Sequence, residues 1–210
     1  MRIIAGSARG RRLKGPRGPG LRPTSDQVRE ALFNILGERV RGARVLDLFA
    51  GTGALSLEAL SRGADHALLI DCGREALALC RDNAALTGCG AATIEIACLR
   101  IDARLSTSPR LRGHAPFDLA FADPPYAAVT PQELLTWLDP ALLAEAGLFV
   151  IEHDRRTDAP SQCGGFVCID ERRHGDTALA FYRPARPADA DTAAAPPAPS
   201  SSDPSESPAP

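Results

Sequence analysis

In Val45-Leu46-Asp47-Leu48-Phe49-Ala50-Gly51-Thr52-Gly53-Ala54-Leu55-Ser56-Leu57-Glu58 the chain passes from strand to helix through a glycine turn. Residues 45–50 are an almost unbroken apolar run, the pattern of a parallel strand covered on both faces. Residues 54–61 read as a helix. Between them Gly51 and Gly53 allow a sharp bend and let a ligand approach bare backbone, which a Cβ would prevent. A dinucleotide-binding loop has a third glycine at position 56, against pyrophosphate at the helix N-terminus; here Ser56 stands there. Asp47 is more telling, because a carboxylate just before the loop repels phosphate and attracts the ammonium of a methionine moiety. The loop therefore weighs S-adenosylmethionine against NAD and favours the former, with Phe49, Gly51 and Gly53 beside Asp47 among the cofactor residues.

The same alternation continues along the chain. Residues 67–71, 94–98, 117–122 and 148–152 read as strands, and residues 74–86 and 131–143 as helices, the last broken at Asp139-Pro140. Residues 166–171 and 177–182 read as a terminal antiparallel hairpin. Alternating elements of this kind mean a doubly wound, Rossmann-like α/β sheet. Asp71 ends the second strand, 20 residues after Gly51, where an acid accepts hydrogen bonds from both ribose hydroxyls. Asp102, near the end of the third strand region, suits an adenine amino group. A reading in which these acids only cap helices does not explain three of them at the carboxyl ends of adjacent strands.

The strand at 117–122 runs into Asp123-Pro124-Pro125-Tyr126. Ligands of open α/β sheets bind outside the carboxyl ends of the strands, so this tetrad falls beside the cofactor crevice. Two prolines fix φ and remove two amide hydrogens, leaving a rigid backbone that offers only acceptors. An arylamine nitrogen is a poor nucleophile because its lone pair is delocalised into the ring. If the Asp123 carboxylate and the Pro124 carbonyl each accept one N–H, that lone pair is freed and aimed at a methyl group. Tyr126 offers an aromatic face to an unstacked base. The bland alternative is a proline turn with a surface tyrosine.

The formal net charge is −2, but the balance is uneven. Residues 1–44 contain Arg2, Arg9, Arg11, Arg12, Lys14, Arg17, Arg22, Arg29, Arg39, Arg41 and Arg44 against Asp26, Glu30 and Glu38. Such a split suits a polyanion partner; a solvated arm that aids solubility is the alternative. Residues 1–23 form a basic extension whose two short pieces could pair as a hairpin. Thr24 opens a helix, with Thr24-Ser25-Asp26-Gln27 at capping-box spacing, and residues 24–183 form the main domain. Residues 184–210 are almost wholly Pro, Ala, Ser and Asp, too poor in apolar surface to fold, and are expected to be disordered. Cys72, Cys80, Cys89, Cys98, Cys163 and Cys168 form no CxxC pair, and neither they nor the four histidines have zinc spacing. They read as small apolar residues, with no metal. The apolar runs are too short to span a bilayer and the N-terminus lacks a signal-peptide core, so a monomer in the cytoplasm is expected.

Taken together, Arg2-Ile3-Ile4-Ala5-Gly6, Arg9-Gly10-Arg11, Leu21-Arg22-Pro23-Thr24, Arg29-Glu30-Ala31-Leu32-Phe33-Asn34, the Asp47–Gly53 loop, the 123–126 tetrad and Gly175-Asp176-Thr177 resemble the RsmD family. The resemblance spans residues 1–183. It implies a class I S-adenosylmethionine-dependent methyltransferase with a seven-stranded sheet, acting on N2 of a guanine in 16S ribosomal RNA within a partly assembled small subunit. It further implies that the basic extension grips RNA, through Arg2, Arg9, Arg11, Arg12, Lys14, Arg22 and Thr24. This chain departs from the family at Ser7-Ala8, where Lys-Trp is common, at Gly73, where an acid is frequent, and in its tail. The tetrad alone is shared with enzymes that methylate adenine N6 in DNA, and a non-catalytic RNA-binding assembly factor is a third reading. The absence of a separate target-recognition domain argues against the former, and the intact tetrad against the latter.

Overall fold

The computed structural model describes residues 1–16, 25–90, 92–125 and 128–189. Helix α1 (Asp26–Leu36) buries Val28, Leu32, Phe33 and Leu36 along one stripe and ends at Gly37, whose φ is 52°. Its N-cap is Ser25, not Thr24: the Ser25 hydroxyl accepts the Val28 amide at 3.2 Å. The helix begins one residue later than its capping spacing suggests because Ser25 supplies that oxygen and Asp26 is drawn to Arg29. Thr24 itself lies outside the described residues.

The chain then alternates β1 (Arg44–Leu48), α2 (Ala54–Ser61), β2 (His66–Asp71), α3 (Arg74–Thr87), β3 (Ile94–Cys98), α4 (Pro109–His114), β4 (Phe117–Ala122) and α5 (Pro131–Trp137). Four further strands follow: β5 (Leu143–Asp154), β6 (Gln162–Cys163), β7 (Phe166–His174) and β8 (Thr177–Pro184). The sheet order is β3-β2-β1-β4-β5-β8-β7-β6, parallel as far as β5 and antiparallel beyond it. Seven of these strands make the expected sheet, and the two-residue β6 extends its edge. Strand β5 is longer than its apolar run because residues 143–147 precede the buried stretch and pair only loosely with β4 across a register shift.

Leucine, valine and alanine on both faces of the central strands divide the core in two. One half lies under the N-terminal segment, α1, α2 and α3; the other lies under α4 and α5. The N-terminal segment is a hairpin closed by an Arg2–Arg12 bridge, with Ile3 and Leu13 inserted in the first half of the core. Gly6 lets it lie flat on α2: its φ is +81°, and a Cβ there would stand 1.7 Å from the Ser61 carbonyl oxygen. Strand order reverses between β1 and β4, which opens a crevice at their carboxyl ends.

Candidate active site at the carboxyl edge of the sheet

Both expected site segments open at this crevice. β1 delivers Asp47 in register with Phe121 of β4, and β4 runs directly into Asp123. Past β1 the chain takes three left-handed steps, Phe49 (φ 60°), Gly51 (φ 56°) and Gly53 (φ 76°), before α2 begins. Phe49 is the one non-glycine among the described residues with positive φ, which is strained backbone at this turn. A Cβ on Gly53 would press on Leu69 at 3.0 Å, so the loop must be bare where it meets β2. A Cβ on Gly51 would meet only the Phe49 carbonyl, at 3.8 Å, so that side faces open space.

Asp47 is buried, and one carboxylate oxygen accepts the Ser56 hydroxyl at 2.7 Å and the Ser56 amide at 3.3 Å. Burial pushes its carboxyl up to about 7; the Ser56 bonds oppose the rise, and the negative charges of Asp123 and Asp71 add to it. The three acids therefore share one field, and a cation placed among them would relieve it. Asp71, at the end of β2, accepts the Gly51 amide at 3.0 Å and the Gly73 amide at 2.7 Å, one on each oxygen. Each oxygen keeps a lone pair for a further donor. Asp102 stands beyond β3, where it caps the Arg104 amide at 2.9 Å and pairs with Arg100 at 3.2 Å.

At the tetrad, Asp123 is half-buried, Pro124 buried and Pro125 exposed. The Pro125 carbonyl is taken by the Ala128 amide at 2.8 Å, whereas the Pro124 carbonyl accepts nothing from the described residues. Tyr126, with Arg22 and Thr24, lies outside those residues. Glu152 follows Ile151 of β5, the register partner of Ala122, and so adds a buried acid beside this edge.

Several residues that hold the site carry no signal in the hydropathy pattern. Ser56 anchors Asp47. Cys80 of α3 donates to the Gly51 carbonyl at 3.3 Å, and its thiol is pushed up by burial and by Asp47 and Asp71. Asn83, one turn on, is buried against the Thr52 carbonyl at 2.9 Å. On α2, the wholly buried Glu58 accepts the Ile4 amide at 2.7 Å, the Ala5 amide at 3.0 Å and Arg62 at 2.7 Å. Arg29 of α1 lies 4.0 Å from it, equally buried, and donates to the Arg2 carbonyl and to Asp26. The basic residues thus do not form a single face. Arg29 is structural, and Arg44 lies at the far end of β1 against the His114 and Pro116 carbonyls.

Arg2, Arg9, Arg11 and Arg12 are exposed on the hairpin, and none meets a carboxylate among the described residues. Lys14 is paired with Asp82 at 2.8 Å. Elsewhere exposed arginines such as Arg41, Arg110, Arg156, Arg172 and Arg173 each meet an acid. Among the described residues no group of three or more His, Cys, Asp or Glu could hold a metal, and no helix is long and apolar enough to cross a membrane. Their cysteines are all free.

A parallel sheet that reverses order at β1/β4 and ends in an antiparallel pair is the fold of the class I S-adenosylmethionine-dependent methyltransferases. Residues 1–183 match the family model described as Conserved hypothetical protein 95. The chain is 35% identical over 184 residues to the Ribosomal RNA small subunit methyltransferase D of Escherichia coli (strain K12), covering 87% of this chain and 89% of that protein. Against the protein of the same name from Haemophilus influenzae the identity is 33% over 149 residues, 68% of this chain and 76% of that one. The solved structure of the Thermus thermophilus hypothetical protein TTHA0928 aligns with a TM-score of 0.72 at 33% identity, covering 87% of this chain and 99% of that one. The chain belongs to this family, the RsmD family.

Proposed function

We propose that this chain transfers a methyl group from S-adenosylmethionine to the exocyclic N2 of a guanine in 16S ribosomal RNA. The observation that carries the reading is the Pro124 carbonyl next to Asp123 at the β1/β4 switch point, which accepts nothing from the described residues. The names of the E. coli and H. influenzae relatives support ribosomal RNA of the small subunit as the substrate class.

The residues present fit the cofactor. Asp47 is a buried acid with no positive partner among the described residues, which a methionine ammonium would supply; Asp71 keeps lone pairs for ribose hydroxyls; Gly51 leaves its outer side open. Asp102 is the proposed partner of the adenine amino group and Phe49 the proposed wall beside it. Once bound, S-adenosylmethionine supplies an electrophilic methyl group on a sulfonium. The protein's part is geometry. Asp123 and the Pro124 carbonyl each accept one N–H of the base, which frees the nitrogen lone pair and fixes its direction. The buried rigid Pro124 prevents that acceptor from drifting, Pro125 locks the following turn, and Tyr126 stacks on the base. Transfer would exchange the methyl–sulfur bond for a methyl–nitrogen bond, the sulfur keeping the electron pair and leaving as the neutral thioether, and the nitrogen's surplus proton would leave on the Asp123 carboxylate and pass to water.

Arg2, Arg9, Arg11 and Arg12, which meet no carboxylate among the described residues, support an RNA-phosphate surface on the hairpin, and Lys14, Arg22 and Thr24 are proposed as further RNA contacts. Acting as a monomer in the cytoplasm on a partly assembled subunit completes the reading. Mass-spectrometric mapping of 16S rRNA from cells with and without the gene tests it. The expected result is one N2-methylguanine lost on deletion and restored by the wild-type gene but not by Asp123→Ala. An unchanged rRNA map, or loss of N6-methyladenine from DNA instead, would overturn it.

A further inference from the structure

The hairpin and the cofactor loop are distant in sequence, yet one side chain holds both. Asn83 of α3 is wholly buried, and its carboxamide makes three hydrogen bonds. Its Nδ2 donates to the Thr52 carbonyl at 2.9 Å and to the Lys14 carbonyl at 3.0 Å, and its Oδ1 accepts the Lys14 amide at 2.7 Å. The orientation is unique: a flipped amide would set its oxygen against two carbonyls and its NH2 against an N–H. Thr52 stands between the left-handed Gly51 and Gly53, so its carbonyl direction follows the conformation of the loop. Lys14 ends the hairpin two residues past the Arg2–Arg12 bridge, and its ammonium is held by Asp82, the residue next to Asn83. Met1 adds a second, weaker touch, its Sδ lying 3.7 Å from the Thr52 hydroxyl.

We propose that Asn83 is a positioning residue that couples cofactor occupancy of the Gly51–Gly53 loop to RNA engagement by the basic hairpin. A ligand that fixes the loop fixes the Thr52 carbonyl, hence the Asn83 amide plane, hence both backbone groups of Lys14. Because two sites coupled in this way must influence each other equally, RNA on the hairpin tightens cofactor binding by the same factor. Buried amide bonds are suited to this: losing one leaves an unsatisfied polar group in the core, so the two segments settle together. The inference rests on the function proposed above, with the loop as cofactor site and the hairpin as RNA surface.

The test is equilibrium dialysis of labelled S-adenosylhomocysteine against the full chain, with and without saturating small-subunit particles from cells lacking the gene. In the wild type, particles should tighten binding by about fivefold or more. In Asn83→Ala that ratio should fall to about one, while Asn83→Asp, which keeps the Lys14 amide bond but loses both donated bonds, should behave like Asn83→Ala. A wild-type ratio of one, or a variant that keeps the wild-type ratio, overturns the coupling. Hydrogen exchange on the wild type gives an answer even if the variants fail to fold: S-adenosylhomocysteine should slow exchange of the Lys14 amide, and an unchanged rate overturns the proposal. Failure of the wild type to methylate the particles would sink the functional reading itself; methylation with a ratio of one sinks only the coupling.

Discussion

The Asp47–Gly53 loop and the N-terminal hairpin are packed against the same helices, but they are held by different means. The loop is fixed largely by its own backbone and its nearest strand. Gly53 donates to Ala50 at 2.7 Å, Ala50 to Ile70 at 3.1 Å, and Gly51 to the Asp71 side chain at the end of that same strand. The hairpin has backbone bonds of its own, Ile3 to Arg11 and Gly10 to Ile3 at 2.9 Å each and Leu13 to Met1 at 3.3 Å, but these close it on itself and do not tie it to the sheet. What holds it down is a set of buried side chains on the helices beneath: Glu58 and Ser61 of α2, Asn83 of α3 and Arg29 of α1. A loop that reads a small ligand needs local rigidity, and short-range bonds provide it. A basic surface needs only to be carried in the right place, and the core can do that from a distance.

The comparison can be broken hardest at Glu58. Replacing it by alanine removes the acceptor of two hairpin amides and the buried carboxylate that Arg62 meets at 2.7 Å and Arg29 at 4.0 Å, leaving the buried Arg29 with Asp26 as its one carboxylate among the described residues. Breaking a buried pair on one side costs about 3–5 kcal/mol, which urea unfolding would read directly. The hairpin should also become open to proteolysis well before the sheet. A cost below about 1 kcal/mol would mean that the pair is worth no more than a surface bridge and that Ile3 and Leu13 alone seat the hairpin. Asp123→Ala acts on the other side of the comparison. Turnover should fall by about 10²- to 10³-fold, the usual cost of one preorganised electrostatic contact at a reacting centre. Unfolding and S-adenosylhomocysteine affinity should hardly move, because the loop is held by Asp71 and by its own backbone. Near-normal turnover in that variant would remove the tetrad from the chemistry.

The same contrast explains which parts were legible in the sequence. The loop and the tetrad demand particular residue types within a few consecutive positions: glycine where φ is positive, an acid at a strand end, proline where donors must be absent. Such demands are written locally, and so were the buried strands, whose apolar runs are nearly continuous. The hairpin anchors were not legible. Glu58 and Asn83 look like ordinary polar positions of two helices, and their partners are 54 and 69 residues away. Charge counting saw the arginines of the first 44 residues but could not distinguish the buried Arg29 from the exposed Arg11. Strand β6 was invisible because two residues, Gln162 and Cys163, have no period. Helix α4 carries no periodic signal because Pro109-Arg110-Leu111-Arg112-Gly113-His114 offers one buried residue in six. In the sequence Ser56 reads as the absence of a glycine; in the structure it holds Asp47.

The loop side of the comparison is sharpened through pH. The Asp47 carboxyl is raised to about 7 in the folded chain, mainly by burial, whereas in the unfolded chain it returns to the ordinary carboxyl range near 4. The folded state therefore binds the extra proton more tightly. Its stabilising share is full below about pH 4, shrinks as the pH rises, and is gone above about pH 7. Asp47→Asn keeps an acceptor for the Ser56 hydroxyl but cannot ionise, so the difference in melting temperature between variant and wild type should widen in the variant's favour from pH 4 to 7 and then level off. An ammonium bound beside Asp47 favours the ionised carboxylate and must expel that proton. At pH 6, S-adenosylhomocysteine binding to the wild type should release a fraction of a proton, measurable by calorimetry in two buffers of different ionisation enthalpy, and binding to Asp47→Asn should release none. Equal release by both proteins would show that the cation does not sit at Asp47, and the loop would then be held for its backbone alone.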